Sequence, residues 1–110
     1  MIQCDGDLKI TMDLGDWGME IPFEISGNVQ SKDAFVFYLA AGRDRPPIIH
    51  KDVAINADGI FTLFLTHDES NKLAAGTYFW SLKQFRKGQL LNTVVNNKYF
   101  EVLKGVQSDG

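Results

Sequence analysis

The side chains through which this chain could do chemistry are few and scattered. His50 and His67 are its two histidines, and Asp5, Asp7, Asp13 and Asp16 crowd the N-terminus. Cys4 is the single cysteine. The His67-Asp68 pair could hold a metal, but it opens a helical signature, where a solvated helix end is the ordinary reading. Calcium needs six to eight oxygens converging on one point, and the four aspartates do not follow the spacing of a calcium-binding loop. Cys4 lies beside Asp5 with no nearby histidine to activate it as a nucleophile. Ser70 and Ser81 stand in neither a nucleophile elbow nor an oxyanion-forming context. Gly15, Gly18 and Gly27 are dispersed and cradle no phosphate. Arg43 and Arg45, like Arg86 and Lys87, fall in loops and read as solvated tips. These residues predict no enzyme, no cofactor and no metal.

The whole chain bounds the answer further. Its 110 residues allow one domain with one core. A net charge of −3 argues against a nucleic-acid surface, which would need a basic stripe. No apolar run approaches the roughly 20 residues of a membrane helix. The opening MIQCDGDLK lacks the apolar core of a signal peptide. With one cysteine no intrachain disulfide can form, which fits a reducing cytoplasm or a particle assembled there.

The elements that must position these residues are strands. Apolar residues alternate at Leu8, Ile10, Met12 and Leu14; at Ile21, Phe23 and Ile25; and at Phe35, Phe37 and Leu39. The same period of two recurs at Phe61, Leu63 and Leu65 and at Tyr78, Trp80 and Leu82. Successive side chains of a strand point to opposite faces, so the pattern marks half-buried antiparallel strands. Strands are predicted at 8–14, 18–26, 34–40, 48–54, 60–66, 77–85, 90–95 and 98–104. Turns are predicted at Gly15-Asp16, Ser26-Gly27-Asn28, Arg45-Pro46-Pro47, Asp58-Gly59, Lys87-Gly88 and Asn96-Asn97. Pro22 cannot donate to a ladder and puts its strand at an edge or bulge. Thr66 and Glu69 have capping-box spacing. They predict a two-turn helix over 67–75, stopped by Gly76.

Many short alternating strands make a sandwich or a barrel. Tyr78 follows the connector and a glycine. That is where the tyrosine of an immunoglobulin-like sandwich turns its hydroxyl back onto upstream backbone. Trp80, two residues on, would fill the space between sheets that a disulfide spans in antibody domains. The expectation is therefore an all-β, immunoglobulin-like antiparallel sandwich of about seven to eight strands with one short helix near 67–75. It is a single domain over 1–110, with a core over about 7–104 and a flexible tail at 105–110.

Apolar side chains exceed what one interior can hold. If Tyr78, Trp80 and Leu82 face inward, Phe79 faces outward, as do Val36 and Tyr38 beside Phe35, Phe37 and Leu39. Phe64 likewise opposes Phe61, Leu63 and Leu65. Such second-face aromatics mark an interface, so Phe64, Phe79, Val36 and Tyr38 are the candidate contact residues.

The order of these motifs resembles the immunoglobulin-like N-terminal domain of phage baseplate upper proteins. It runs "LGDWG", "MEIPFEI", "AFVFYLA", "IIHKDV", "ADGIFTLFLT", "ESNKLAAGTYFWSLK" and "NKYFEVLKGV", over about residues 7–106. The Asp-Gly turn into a strand ending Leu-Thr and the Leu-x-x-Gly-x-Tyr segment carry the likeness best. The resemblance implies a non-enzymatic structural module of a phage or prophage tail, assembled in the host cytoplasm. It would be homo-oligomeric and docked on other tail and baseplate proteins, with no nucleic acid or membrane as partner. Two other readings remain open. One is a carbohydrate-binding module using Trp17 or Tyr38 as a sugar platform. The other is a plain immunoglobulin-like module of a bacterial surface protein.

Overall fold

The computed structural model describes residues 3–4, 7–18, 20–24, 33–53 and 60–104. Among them the chain is mostly strand: β1 (Gln3–Cys4), β2 (Ile10–Asp13), β3 (Glu20–Glu24), β4 (Ala34–Ala40), β5 (Pro47–Val53), β6 (Ile60–Phe64), β7 (Gly76–Arg86) and β8 (Gln89–Leu103), with one helical turn, α1 (His67–Ser70). Six strands form one sheet in the order β1-β2-β8-β7-β4-β5, which curls into a half-barrel. β3 and β6 form a separate two-stranded sheet, where Pro22 lies opposite Thr62. All neighbours pair antiparallel except β2 and β8, which run parallel from Ile10↔Phe100 to Asp13↔Leu103. The turns expected at Ser26-Gly27-Asn28 and Asp58-Gly59, the side chain of Cys4, Asp5 and the 105–110 tail lie outside the described residues.

The longest departure from the predicted elements is β8. Two strands were expected at 90–95 and 98–104 with a turn at Asn96-Asn97; the chain instead runs straight through from Gln89 to Leu103. Asn97 does take a left-handed φ of 51°. It uses that conformation for a bulge: Trp80 pairs with Lys98 and Leu82 with Val95, so Asn96 and Asn97 together face Ser81. The Ser81 hydroxyl accepts from the Asn97 N–H at 2.9 Å and donates to its side-chain oxygen at 3.5 Å, which pins the extra residue. A left-handed asparagine suits a turn and a bulge equally, and only the partner strand tells them apart. Lys87-Gly88 is a real reversal. Both residues have positive φ, 54° and 78°, matching the twist of a two-residue hairpin between β7 and β8.

The predicted strand 8–14 contracts to Ile10–Asp13. Ile10 and Met12 are buried, but Leu8 has a φ of 64° and Leu14 is exposed in the turn. The core gathers Ile10 and Met12 with Phe35, Phe37, Leu39, Ile49 and Val53, and with Trp80, Leu82, Phe100 and Val102; Leu63, Leu65 and Leu73 join from the β6–α1 side. Trp80 is fully buried, its ring centroid 5.8 Å from that of Phe37. A buried indole N–H needs an acceptor. The carbonyl of Leu8 supplies it at 2.9 Å.

The turn end of the long hairpin is latched by Asp33, the residue before β4. The Asp33 carboxylate, whose side chain is fully buried, accepts from Arg86 Nε at 2.7 Å, Arg86 Nη2 at 2.9 Å and Gln84 Nε2 at 2.7 Å. Arg86 is therefore a structural tie and not a solvated tip. Its hydrogen bond to Asp33 raises its pKa above the ordinary arginine value against the opposing effect of burial, with the Asp33 charge adding.

The capping box at Thr66 is formed: Glu69 N–H donates to Thr66 Oγ1 at 3.1 Å, and Thr66 N–H to Glu69 Oε1 at 2.9 Å. The helix is shorter than the predicted 67–75, ending at Ser70 with Asn71 as its C-cap. Lys72 and Leu73 then bond to carbonyls three residues back, tightening the chain. Leu73 drops into the core, which draws the segment off any helical path. Gly76 opens β7 and caps nothing.

Candidate functional site

Alternation on β4 and β7 turns Phe35, Phe37, Leu39, Tyr78, Trp80 and Leu82 into the core and sends Val36, Tyr38, Phe79 and Lys83 to the other face of the large sheet. Among the described residues no second layer covers that face. Phe79 pairs across the ladder with Tyr99, ring centroids 5.3 Å apart. Tyr38 pairs with His50 on β5, the rings stacked at 6.3 Å and 21°. Two cations sit on these rings: Arg43 Cζ lies 5.0 Å over Phe79, and Lys83 Nζ lies 5.2 Å over Tyr38. The result is one band of aromatic and basic side chains from Tyr99 to His50.

Two shallow grooves follow the band. One, of about 530 Å³, lies against Asp7, Lys9, Arg43, Asn96, Asn97, Lys98 and Tyr99. A smaller one, of about 150 Å³, lies among Tyr38, Arg43, Arg45, Phe79, Ser81 and Lys83. Arg43 and Asn97 belong to both. The bulge at Asn97 thus shapes the face as well as the strand. Tyr99, 49% exposed, escaped the sequence reading because the supposed turn at Asn96-Asn97 hid its partnership with Phe79. Its signal was present in the alternation of Tyr99 and Glu101 with Phe100 and Val102.

Of the four candidate contact residues, Val36, Tyr38 and Phe79 share this face, each half-buried. Phe64 does not. It lies exposed on β6 in the small sheet, beside the buried Leu63 and Leu65. Trp17, 51% exposed, is close to that end of β6: Gly18 N–H bonds to the Leu65 carbonyl, and the Trp17 ring lies 5.2 Å from His67. The side chain of Phe61 lies outside the described residues.

The Tyr78 hydroxyl donates to the Ala74 carbonyl at 2.9 Å and accepts from the Ala74 N–H at 3.0 Å. It returns to backbone four residues upstream, closing the connector between α1 and β7. Trp80 lies two positions further into the core. Both side chains are structural in their contacts.

The ionisable groups stay apart. His50 is in the aromatic band, whereas His67 opens α1. Among the described residues no three His, Cys, Asp or Glu side chains converge on a metal-sized site. Ser70 is buried, and its hydroxyl has no hydrogen-bond partner among the described residues. The Glu69 carboxylate is perturbed by its surroundings. Partial burial works to raise it, but hydrogen bonds from Lys51 and from the Thr66 backbone outweigh that, with the Lys51 charge adding, and hold it below the ordinary value. Lys51 Nζ reaches Glu69 at 2.8 Å and also donates to the Phe64 carbonyl, tying β5, β6 and α1 together. No described helix is long and apolar enough to cross a membrane.

No protein-family model matches this chain, and no curated protein matches it significantly in sequence.

Proposed function

We propose that this chain is a non-enzymatic association module: an immunoglobulin-like β-sandwich of a phage or prophage tail baseplate that docks on other virion proteins and on copies of itself. The observation that carries the reading is the uncovered band on the large sheet, where Tyr99, Phe79, Tyr38 and His50 lie in two contacting pairs. Aromatic side chains held on a rigid sheet supply contact area at low entropic cost, and they dominate the energetics of protein interfaces. Three features favour the immunoglobulin-like architecture. They are the two separate sheets, the short strand β2 running parallel to the last strand β8, and the hydroxyl of Tyr78 returning to the segment before its strand. The tail setting rests on the motif order from "LGDWG" to "NKYFEVLKGV".

Tyr38→Asp and Phe79→Asp test it. Both variants should keep the far-UV circular dichroism of the parent while losing co-purification with neighbouring tail proteins. Unchanged co-purification by both would remove this face from the interface.

The groove beside Tyr99 favours a second reading, a saccharide platform with Asn96 and Asn97 as polar partners. Tyr38 suits that role less well, since Lys83 lies over its ring and His50 stacks on it. Titration with neutral oligosaccharides, followed by Tyr99 ring resonances, separates the two readings.

A further inference from the structure

The smaller of the two grooves is walled by hydrogen-bond donors, and no described carboxylate lines it. Its volume of about 150 Å³ lies among Arg43, Arg45 and Lys83, with Ser81 and Asn97 beside them. Among the described residues none of these three cations has an ion pair or a side-chain hydrogen bond. Two of them are set in place by rings instead, Arg43 over Phe79 and Lys83 over Tyr38. A ring face attracts a cation without neutralising it. Arg45 is placed by its own loop. Its backbone N–H bonds to the Gly42 carbonyl at 3.2 Å, and a Cβ at Gly42 would meet the Arg45 Cγ at 3.1 Å. The Ser81 hydroxyl is taken up by the Asn97 N–H and side-chain oxygen, which leaves the Asn97 amide nitrogen as a further donor.

The acidic side chains of this face stand off from the groove. Glu101 is paired with Lys9 at 2.6 Å. Asp52 lies on β5 opposite Val36, and Val36 separates it from Lys83 in the ladder. Asp44 is exposed in the loop, and Asp7 lines only the larger groove. Three cations gathered without a counter-charge repel one another, and a ligand bearing negative oxygens relieves that. Two guanidinium forks and an ammonium offer more donors than the two oxygens of a carboxylate can use. A phosphoryl group brings three oxygens and nearly two charges. We propose that this groove binds a phosphoryl group, held by Arg43, Arg45 and Lys83 with Asn97 beside them. The inference goes beyond the association reading and does not depend on it.

Titration of the intact chain, followed by NMR, tests the site. Ionic strength is held constant, because salt alone weakens contacts between exposed charges. The probes are inorganic phosphate and glucose 6-phosphate, with glucose as the uncharged control. Both phosphates should give saturable shifts of the Arg43 and Arg45 Nε–H and Asn97 amide resonances, and glucose should give none. Tighter binding of glucose 6-phosphate assigns the groove to a phosphoryl group carried on a sugar; equal binding assigns it to the free ion. Arg45→Gln and Lys83→Gln should each weaken binding about fivefold or more, with far-UV circular dichroism unchanged. Gly42→Ala keeps every charge but presses on the Arg45 stem, and should weaken binding as well. Tyr99→Ala, in the larger groove, should leave it unaltered. Shifts that never saturate, or binding that survives Arg45→Gln and Lys83→Gln together, overturn the inference. So does an equal loss on Tyr99→Ala, or a response to glucose as strong as that to its phosphate. None of these outcomes alters the co-purification test, so failure of this site and failure of the association reading are told apart.

Discussion

The indole N–H of Trp80 donates to the carbonyl of Leu8, 72 positions earlier in the chain, at 2.9 Å. This bond joins the centre of the core to the residue that leads into β2, and Leu8 holds a left-handed φ of 64° where it is made. Trp80→Ala removes both the bond and the largest fully buried side chain. It should cost about 3–5 kcal/mol, measured by denaturant unfolding. Trp80→Phe keeps most of the volume and loses the donor, so it should cost clearly less. If Trp80→Ala were harmless, Trp80 would not be the centre of the core.

Tyr78 closes a smaller circuit. Its hydroxyl satisfies both backbone groups of Ala74, but Ala74 is itself exposed, so water can replace the lost partner. Tyr78→Phe should therefore cost about 1–3 kcal/mol, the net worth of two ordinary hydrogen bonds. The change should also speed amide exchange at Ala74. An unchanged exchange rate there would show that the hydroxyl does not hold the connector.

The Asn97 bulge separates conformation from side-chain bonding. Glycine tolerates the left-handed φ of 51° and still offers its N–H to Ser81, whereas a β-branched residue pays about 1–2 kcal/mol there. Asn97→Val should lower the melting temperature more than Asn97→Gly. Equal losses would mean that the asparagine amide, and not the backbone conformation, is what the site requires.

Acid should loosen the junction of β5, β6 and α1. Folding holds Glu69 below its ordinary value of 4.5, so its contribution is present above that value and is lost as pH falls through the lower folded one. The melting temperature should drop over that acid range. Glu69→Gln keeps an acceptor for Thr66 but removes the charge facing Lys51. It should flatten that part of the profile while costing about 1 kcal/mol or less at neutral pH, since the pair is partly solvated. An identical acid profile in the variant would assign the loss to other carboxylates.

Local signals in the sequence determined the all-β class, the period-two faces of β4 and β7, the Lys87-Gly88 reversal and the capping box at Thr66. Each depends on residues close together in the chain: alternation along a strand, paired positive φ angles in a tight turn, a side chain reaching a backbone three positions away. The tertiary structure decided what depends on a distant partner. Asn96-Asn97 became a bulge because Ser81 lies across the ladder, and α1 stopped at Ser70 because Leu73 is drawn into the core. Arg86 became a tie because Asp33 is buried beside it. The candidate face followed the same division. That Phe79, Tyr38 and Val36 point away from the core was legible from alternation alone. That Tyr99, Arg43 and Lys98 join them while Phe64 does not was set by strand order, which brings residues from four parts of the chain onto one surface and puts β6 in another sheet.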